Sequence, residues 1–133
     1  MQAEQKMTET DDRDAIMRTV QTYVDGGRSG KSADMKPAFD EGATIYGYVG
    51  PDLFDGPIQI LFDWVDENDP ATELKSDIAS IDIEGTIATA RLELDNWSGR
   101  KFTDMFTLLK RGSEWKIVSK VFYLHNEIQK DDR

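Results

Sequence analysis

Two charged residues lie among aromatic side chains near the end of the chain. Asp104 stands between Phe102 and Phe106 at alternate positions. Lys120 precedes Phe122 at the same spacing. Alternation with a period of two is typical of a strand with one buried face. An acid and a base placed together in apolar surroundings can move a proton or hold a polar group of a ligand. Asp104 and Lys120 are therefore the first candidates for a functional site.

The two candidates fall on the strands of a predicted hairpin with its turn at residues 111–113. A three-residue loop there pairs Lys110 with Glu114. On this register three cross-strand pairs point to one side of the sheet: Phe102 with Phe122, Asp104 with Lys120, and Phe106 with Val118. The charged pair is either the polar base of a ligand pocket or a structural ion pair worth about 0.2–1 kcal/mol. We favour the pocket, because charges among phenylalanines need each other or water.

Aromatic residues elsewhere could complete such a pocket. The predicted contacts to a small apolar or heteroaromatic ligand are Tyr23, Phe39, Trp64, Asp104, Phe106, Lys120 and Phe122, with Phe39 closing the cavity. Aromatic residues of this kind fill a core more often than they contact a ligand, so both interpretations stay open. In an enzyme, Asp104 would act as a general base and Lys120 as its electrophilic partner.

Helical spacing predicts three helices ahead of the hairpin. The first runs for about 13 residues from a cap at Asp11 or Asp12 to Val24 and ends at Gly26-Gly27. A short second helix is expected from Ser32 to Phe39.

A strand is expected over residues 43–49, because the segment is rich in strand-forming residues. A loop follows between Gly50-Pro51 and Gly56-Pro57. The third helix begins at Pro57 and ends at Asn68-Asp69-Pro70.

From Thr72 onward four strand-like runs are separated by turns at Gly85, at residues 98–99 and at residues 111–113. The apolar phase shifts near Ala79-Ser80, which predicts a β-bulge. The fold class is therefore α+β, with N-terminal helices packed on a curved, mostly antiparallel sheet.

The opposite face of the last hairpin is also apolar. It is expected to carry Thr103, Met105, Thr107, Leu109, Trp115, Ile117, Ser119, Val121 and Tyr123. The helices can cover one face of the sheet, so the second face predicts a homodimer formed through the sheets.

The composition excludes several classes of function. The 133 residues carry a net charge of −10 and no cysteine, which excludes thiolate chemistry and argues against nucleic acid or an anionic membrane as a partner. We expect a cytoplasmic protein with no cofactor. One domain is predicted over residues 12–125, between polar tails at 1–11 and 126–133.

Three further patterns are assigned no chemistry. His125 is the single histidine of the sequence, and a surface or interface role is expected. The acids between Asp63 and Asp69 lack the spacing of a calcium loop, so no metal site is predicted. Residues 26–32 end in Gly-Lys-Ser but follow a helix, whereas a phosphate loop follows a strand.

The pattern resembles the nuclear transport factor 2-like superfamily of cone-shaped domains, and within it the SnoaL-like and "putative lumazine-binding" groups. The resemblance covers about residues 12–125. It is carried by residues 23–27, residues 39–45, the Gly56-Pro57 helix start, and residues 102–110 leading to 115–118. The superfamily holds enzymes, binding proteins and adaptors, so the fold does not decide the function.

The ketosteroid isomerases of this superfamily use a tyrosine and an acid as an oxyanion hole and a carboxylate as the base. The resemblance places Tyr23 and Asp104 at the first two positions, and Gly47 at that of the base. Because glycine has no carboxylate, this isomerase reaction is not expected. Lys120 is expected to lower the pKa of Asp104 and keep it ionised.

The resulting expectation is a small-molecule-binding domain. One alternative is an enzyme of the SnoaL-like or isomerase-like type that uses Asp104 for proton transfer, with Tyr23 and Lys120 beside it. The other is a non-catalytic dimeric interaction module.

Overall fold

The computed structural model describes residues 8–126. The helices in this range are α1 (Glu9–Ser29), α2 (Ser32–Met35), a 3-10 helix (Lys36–Ala38) and α3 (Gln59–Glu67). The strands are β1 (Phe39–Val49), β2 (Asp52–Pro57), β3 (Lys75–Glu84), β4 (Ile87–Trp97), β5 (Arg100–Arg111) and β6 (Glu114–Asn126). Residues 9–11 and 126, predicted as tail, therefore belong to α1 and β6. The predicted tails at 1–7 and 127–133 lie outside the described residues.

The strands form one sheet in the order β2-β1-β6-β5-β4-β3. Four neighbouring pairs are antiparallel, and β1 runs parallel to β6. The predicted α+β class is confirmed. The pairing of β3 with β4 shifts between Ile78 and Ser80, so the predicted bulge is also confirmed.

Helix α1 is much longer than predicted. Thr8 caps its start through a reciprocal pair of hydrogen bonds with Asp11, and Gly30 ends it in the left-handed conformation. Gly26 and Gly27 lie inside the helix because other elements approach it closely there. A Cβ atom on Gly26 would lie 2.5 Å from the Cβ of Met35, and one on Gly27 would lie 2.7 Å from the ring of Trp97. These glycines allow close packing and do not end the helix.

The segment predicted as a loop after β1 forms strand β2. Gly50 makes the turn with φ of 60°, and Val49 then pairs with Asp52. The short second helix ends at Met35, and Phe39 begins β1 instead of ending that helix.

The predicted register of the last hairpin is wrong. The turn contains two residues, so Arg111 pairs with Glu114. A further shift between Thr107 and Leu108 then places Phe106 opposite Lys120. The pairs Phe102 with Phe122, Asp104 with Lys120, and Phe106 with Val118 do not form: Asp104 pairs with Phe122 and Phe102 pairs with Leu124.

The error amounts to two residues in the middle of the hairpin and one residue near its turn. A two-residue slip keeps each side chain on its predicted face, so Asp104 and Lys120 still share the buried face. A one-residue slip reverses the face. Trp115 and Ile117, expected on the outer face, are therefore buried at 2% and 0% exposure.

Candidate functional site

The site brings together one side chain from each of three elements. Helix α1 supplies Tyr23, β5 supplies Asp104 and β6 supplies Lys120. The Tyr23 hydroxyl donates a hydrogen bond to Asp104 Oδ2 at 2.9 Å. Lys120 Nζ lies 3.4 Å from Asp104 Oδ1. The three residues are 1%, 0% and 4% exposed, so the group is screened from bulk water.

The two carboxylate oxygens of Asp104 have different environments. Oδ2 accepts the Tyr23 bond, whereas Oδ1 accepts no hydrogen bond from any described residue although the Lys120 amine faces it. The amine also lies 4.3 Å from the centre of the Phe122 ring and 5.7 Å from that of Tyr23. Lys120 is thus held between a carboxylate and aromatic faces.

Burial controls the protonation of this group. Removal from water raises the pKa of Asp104, while the Lys120 charge and the Tyr23 bond act in the opposite direction. The expected lowering of the Asp104 pKa is wrong because complete burial outweighs these two attractions. Burial lowers the pKa of Lys120, and burial beside Asp104 raises the pKa of Tyr23 well above 10. Burial therefore disfavours the charged form of each of these three side chains.

An aromatic cavity adjoins the charged group. Its lining consists of Tyr23, Ile45, Val49, Phe54, Leu61, Trp64, Trp97, Phe102, Lys120 and Phe122. The space free of atoms between these side chains, including the part open to solvent, is about 310 Å³. The room inside is about enough for one water molecule, so a larger ligand needs side chains to move. Val49, Phe54 and Trp64 are partly exposed and form the rim.

Four of the seven predicted ligand contacts line this cavity: Tyr23, Trp64, Lys120 and Phe122. Asp104 lies behind Tyr23 and Lys120. Phe39 and Phe106 pack edge-on against the Tyr23 ring, with centroids 5.8 and 5.5 Å away, and do not appear on the lining. Both are core residues that hold Tyr23 in place.

Sequence reasoning missed three aromatic lining residues. Phe54 lies on β2, which was predicted as a loop. Trp97 and Phe102 flank the β4–β5 turn, and each ring packs within about 6 Å of another lining ring. The alternation in Leu53-Phe54-Asp55 was the available signal for Phe54.

Gly47 pairs with Phe122 across β1 and β6. A Cβ atom at this position would lie 2.6 Å from ring atoms of Phe122. The phenylalanine therefore occupies the space where the resemblance to isomerases would place a catalytic carboxylate.

The other sequence patterns have structural explanations. Asp66 accepts two hydrogen bonds of 2.8 Å from the backbone N and the hydroxyl of Ser32, and so ties α3 to the start of α2. His125 lies on the outer sheet face, where Nε2 is 2.8 Å from the Thr103 hydroxyl. Residues 8–126 contain no group of three or more metal-ligating side chains. Within the same range, no helix combines the length and the apolar character needed to cross a membrane.

The helices, the six-stranded sheet and the cavity between them define a nuclear transport factor 2-like, or cystatin-like, domain. The structure is similar to that of an NTF2-like protein from Methylobacillus flagellatus KT, with a TM-score of 0.86 and 47% identity over 91% of this chain and 97% of that one. It is also similar to an NTF2-like protein from Shewanella baltica OS155, with a TM-score of 0.86 and 43% identity over 92% and 100% of the two chains.

Residues 11–123 match the family described as "Putative lumazine-binding", and the chain belongs to this family. A curated relative is the Cladobotryum sp protein named aldolase FrzH. It is 32% identical over 111 residues, which are 83% of this chain and 89% of the relative.

The buried pair predicts a pH-dependent stability. Replacing Lys120 with Met leaves the Asp104 carboxyl buried without a cation, and we expect a loss of about 3–5 kcal/mol in the free energy of unfolding at pH 7. The folded pKa of Asp104 is raised above 3.8, so its contribution to stability is largest below pH 3.8 and is lost as the pH rises through the folded value. The variant should therefore recover stability as the pH falls from 7 toward 4.

Urea denaturation across this pH range measures the effect. The control is the double variant Lys120→Met/Asp104→Asn, which lacks the buried carboxyl. At pH 7 the double variant should be the more stable of the two, and the difference should shrink on acidification. A difference that does not depend on pH would contradict the interpretation.

Proposed function

We propose that this protein binds a small, flat, aromatic or heteroaromatic molecule in the cavity, with the Lys120 amine as the polar contact. The observation that carries the proposal is a cavity lined almost entirely by apolar groups with one buried amine on its wall. Ligand sites commonly combine an apolar lining with a few convergent polar groups. The family description supports a heteroaromatic ligand.

The arrangement of the rings favours a flat ligand. Neighbouring lining rings meet at angles of 44–80°, so their faces and edges alternate around the cavity. A planar ligand can replace one such contact by inserting between rings at the rim. Lys120 would donate to a carbonyl oxygen or ring nitrogen, and Tyr23 and Asp104 would hold the amine in place.

Lumazine serves as a representative heteroaromatic probe. Replacing Trp64 with Ala removes a ring from the cavity rim and should weaken lumazine binding by about 1 kcal/mol, a roughly fivefold increase in Kd. Tyr123→Ala is the matched control, because Tyr123 is a 64% exposed aromatic residue on the opposite sheet face. Isothermal titration calorimetry measures both. Equal affinities of the two variants, or no binding by the wild type, would count against the proposal.

A catalytic role is the second candidate, and the relative named aldolase favours it. In this role the side chains of the cavity wall move to admit the substrate, Asp104 takes a proton from it as a general base, and Tyr23 holds the carboxylate in position. Lys120 polarises the substrate carbonyl. Burial raises the pKa of Asp104, which makes its carboxylate a stronger base than an exposed one.

A retro-aldol assay tests this role. The model substrate 4-hydroxy-4-phenylbutan-2-one is cleaved to benzaldehyde and acetone, and benzaldehyde is followed by its absorbance. Asp104→Asn should lower kcat by about 100-fold or more, because the amide cannot accept the proton. Asp82→Asn, at an exposed acid of β3, should leave kcat unchanged. Equal rates for the two variants, or no turnover by the wild type, would argue against the role.

The outer sheet face supports a homodimer, which we propose as the quaternary structure. One row of paired residues crosses five strands from Asp55 through Tyr46, Val121 and Met105 to Arg91. The three central side chains are 46–53% exposed. The row ends in the acid Asp55 on β2 and the base Arg91 on β4. A two-fold-related copy can therefore place opposite charges against each other around an apolar centre.

Light scattering at micromolar concentration tests the dimer. The wild type should have twice the monomer mass, and Met105→Glu should be monomeric because it buries an unpaired charge in the interface. Met17→Glu is the control, since Met17 is a similarly exposed methionine on α1. A monomeric wild type would remove the proposal.

A further inference from the structure

Lys120 has an unusual position for a lysine, because its charged end is buried. Lysine normally keeps its ammonium group in water while its aliphatic stem packs on apolar surface. Here the whole residue is 4% exposed, its Nζ lies 4.3 Å from the centre of the Phe122 ring, and both residues line the cavity. A molecule that enters the cavity would therefore lie beside the Lys120 side chain.

The contact with Asp104 is looser than that of a well-formed structural ion pair. Charge-assisted hydrogen bonds between an ammonium group and a carboxylate are commonly about 2.7–2.9 Å long. Nζ and Oδ1 are 3.4 Å apart, and within the described part of the chain Oδ1 has no hydrogen-bond donor. The amine is therefore near enough to exchange a proton with Asp104 without being tied to it.

We propose that the Lys120 amine forms a Schiff base with an aldehyde or ketone group of the ligand. This inference rests on the proposed function, because it requires that the cavity admits a small aromatic molecule. It goes further in two ways. The ligand class is an aromatic carbonyl compound, and the covalent step takes place at Nζ of Lys120. A lysine in a desolvated apolar pocket is a recognised type of amine nucleophile.

The three buried side chains supply what the reaction needs. Lys120 passes a proton to Asp104, and the resulting neutral amine attacks the carbonyl carbon to give a carbinolamine. The amine nitrogen loses one proton to the former carbonyl oxygen. The Asp104 proton then goes to the resulting hydroxyl group, which leaves as water. The products are a protonated imine, an Asp104 carboxylate and one water molecule, so that atoms and charge balance.

The same geometry stabilises the product. The positive iminium nitrogen would occupy the place of the lysine charge, facing the Asp104 carboxylate and the Phe122 ring. Tyr23 holds the second carboxylate oxygen and so keeps the first aimed at the nitrogen. Burial lowers the pKa of Lys120, which favours the neutral amine that the attack requires.

Benzaldehyde and sodium cyanoborohydride test the inference on the full chain at pH 7. The reductant converts the imine to a stable benzyl amine, and peptide mapping by mass spectrometry locates it. We expect initial labelling of Lys120 to exceed that of exposed Lys101 by at least about tenfold. The amine of a free lysine, with a pKa near 10.4, is neutral in only about one molecule in 2,500 at pH 7. Equal or slower labelling of Lys120 would overturn the inference.

Two variants and one non-reactive ligand separate the possible failures. Lys120→Met should lose the fast-labelled site, and Lys101→Arg should retain it. The peptide map of the wild type tests the inference even if Lys120→Met fails to fold, because it compares Lys120 with Lys101 in the same protein. Benzyl alcohol has the same ring and no carbonyl. If it raises the Tm of the wild type while benzaldehyde does not label Lys120, the covalent step is wrong and the proposed binding stands. If neither compound binds, both are wrong.

Discussion

The burial of Asp104 and Lys120 under α1 is the constraint on which the arrangement of the site depends. Moving an isolated charge out of water costs several kcal/mol, so each of these groups needs the other or a shared proton. Tyr23 contributes the hydrogen bond that orients the carboxylate, and it reaches Asp104 because α1 lies close to the sheet. Gly27 permits this close approach, since a side chain there would collide with Trp97 of β4, and Gly26 lets Met35 of α2 pack against the same helix. The same helix therefore closes the core and completes the polar group.

The register of the last hairpin determines how Asp104 and Lys120 meet across β5 and β6. With the shift between Thr107 and Leu108, the side chain opposite Lys120 is Phe106, and Asp104 is opposite Phe122. The acid and base meet diagonally across the strands, which leaves the amine over the Phe122 ring and on the cavity wall. A directly paired arrangement would have been an ordinary cross-strand ion pair. The irregular pairing thus puts Lys120 on the cavity lining, while Asp104 stays behind it.

Family membership leaves the chemistry open, because this fold hosts many functions. Gly47 has no carboxylate, and Phe122 fills the space beside it. The candidate chemistry therefore centres on Lys120 and the buried groups that face it.

The amino-acid sequence by itself determined the fold class, the meander and its bulge, and the shared face of Asp104 and Lys120. These features follow from local periodicity, and a two-residue slip in register preserves the face. The tertiary structure alone decided where α1 ends, that β2 exists, and which rings line the cavity. Gly26 and Gly27 resemble a helix end in the sequence, and their role depends on Met35 of the next helix and on Trp97, which is distant along the chain. Likewise, whether the pKa of Asp104 is raised or lowered depends on how completely other elements exclude water. No local sequence pattern indicates that burial.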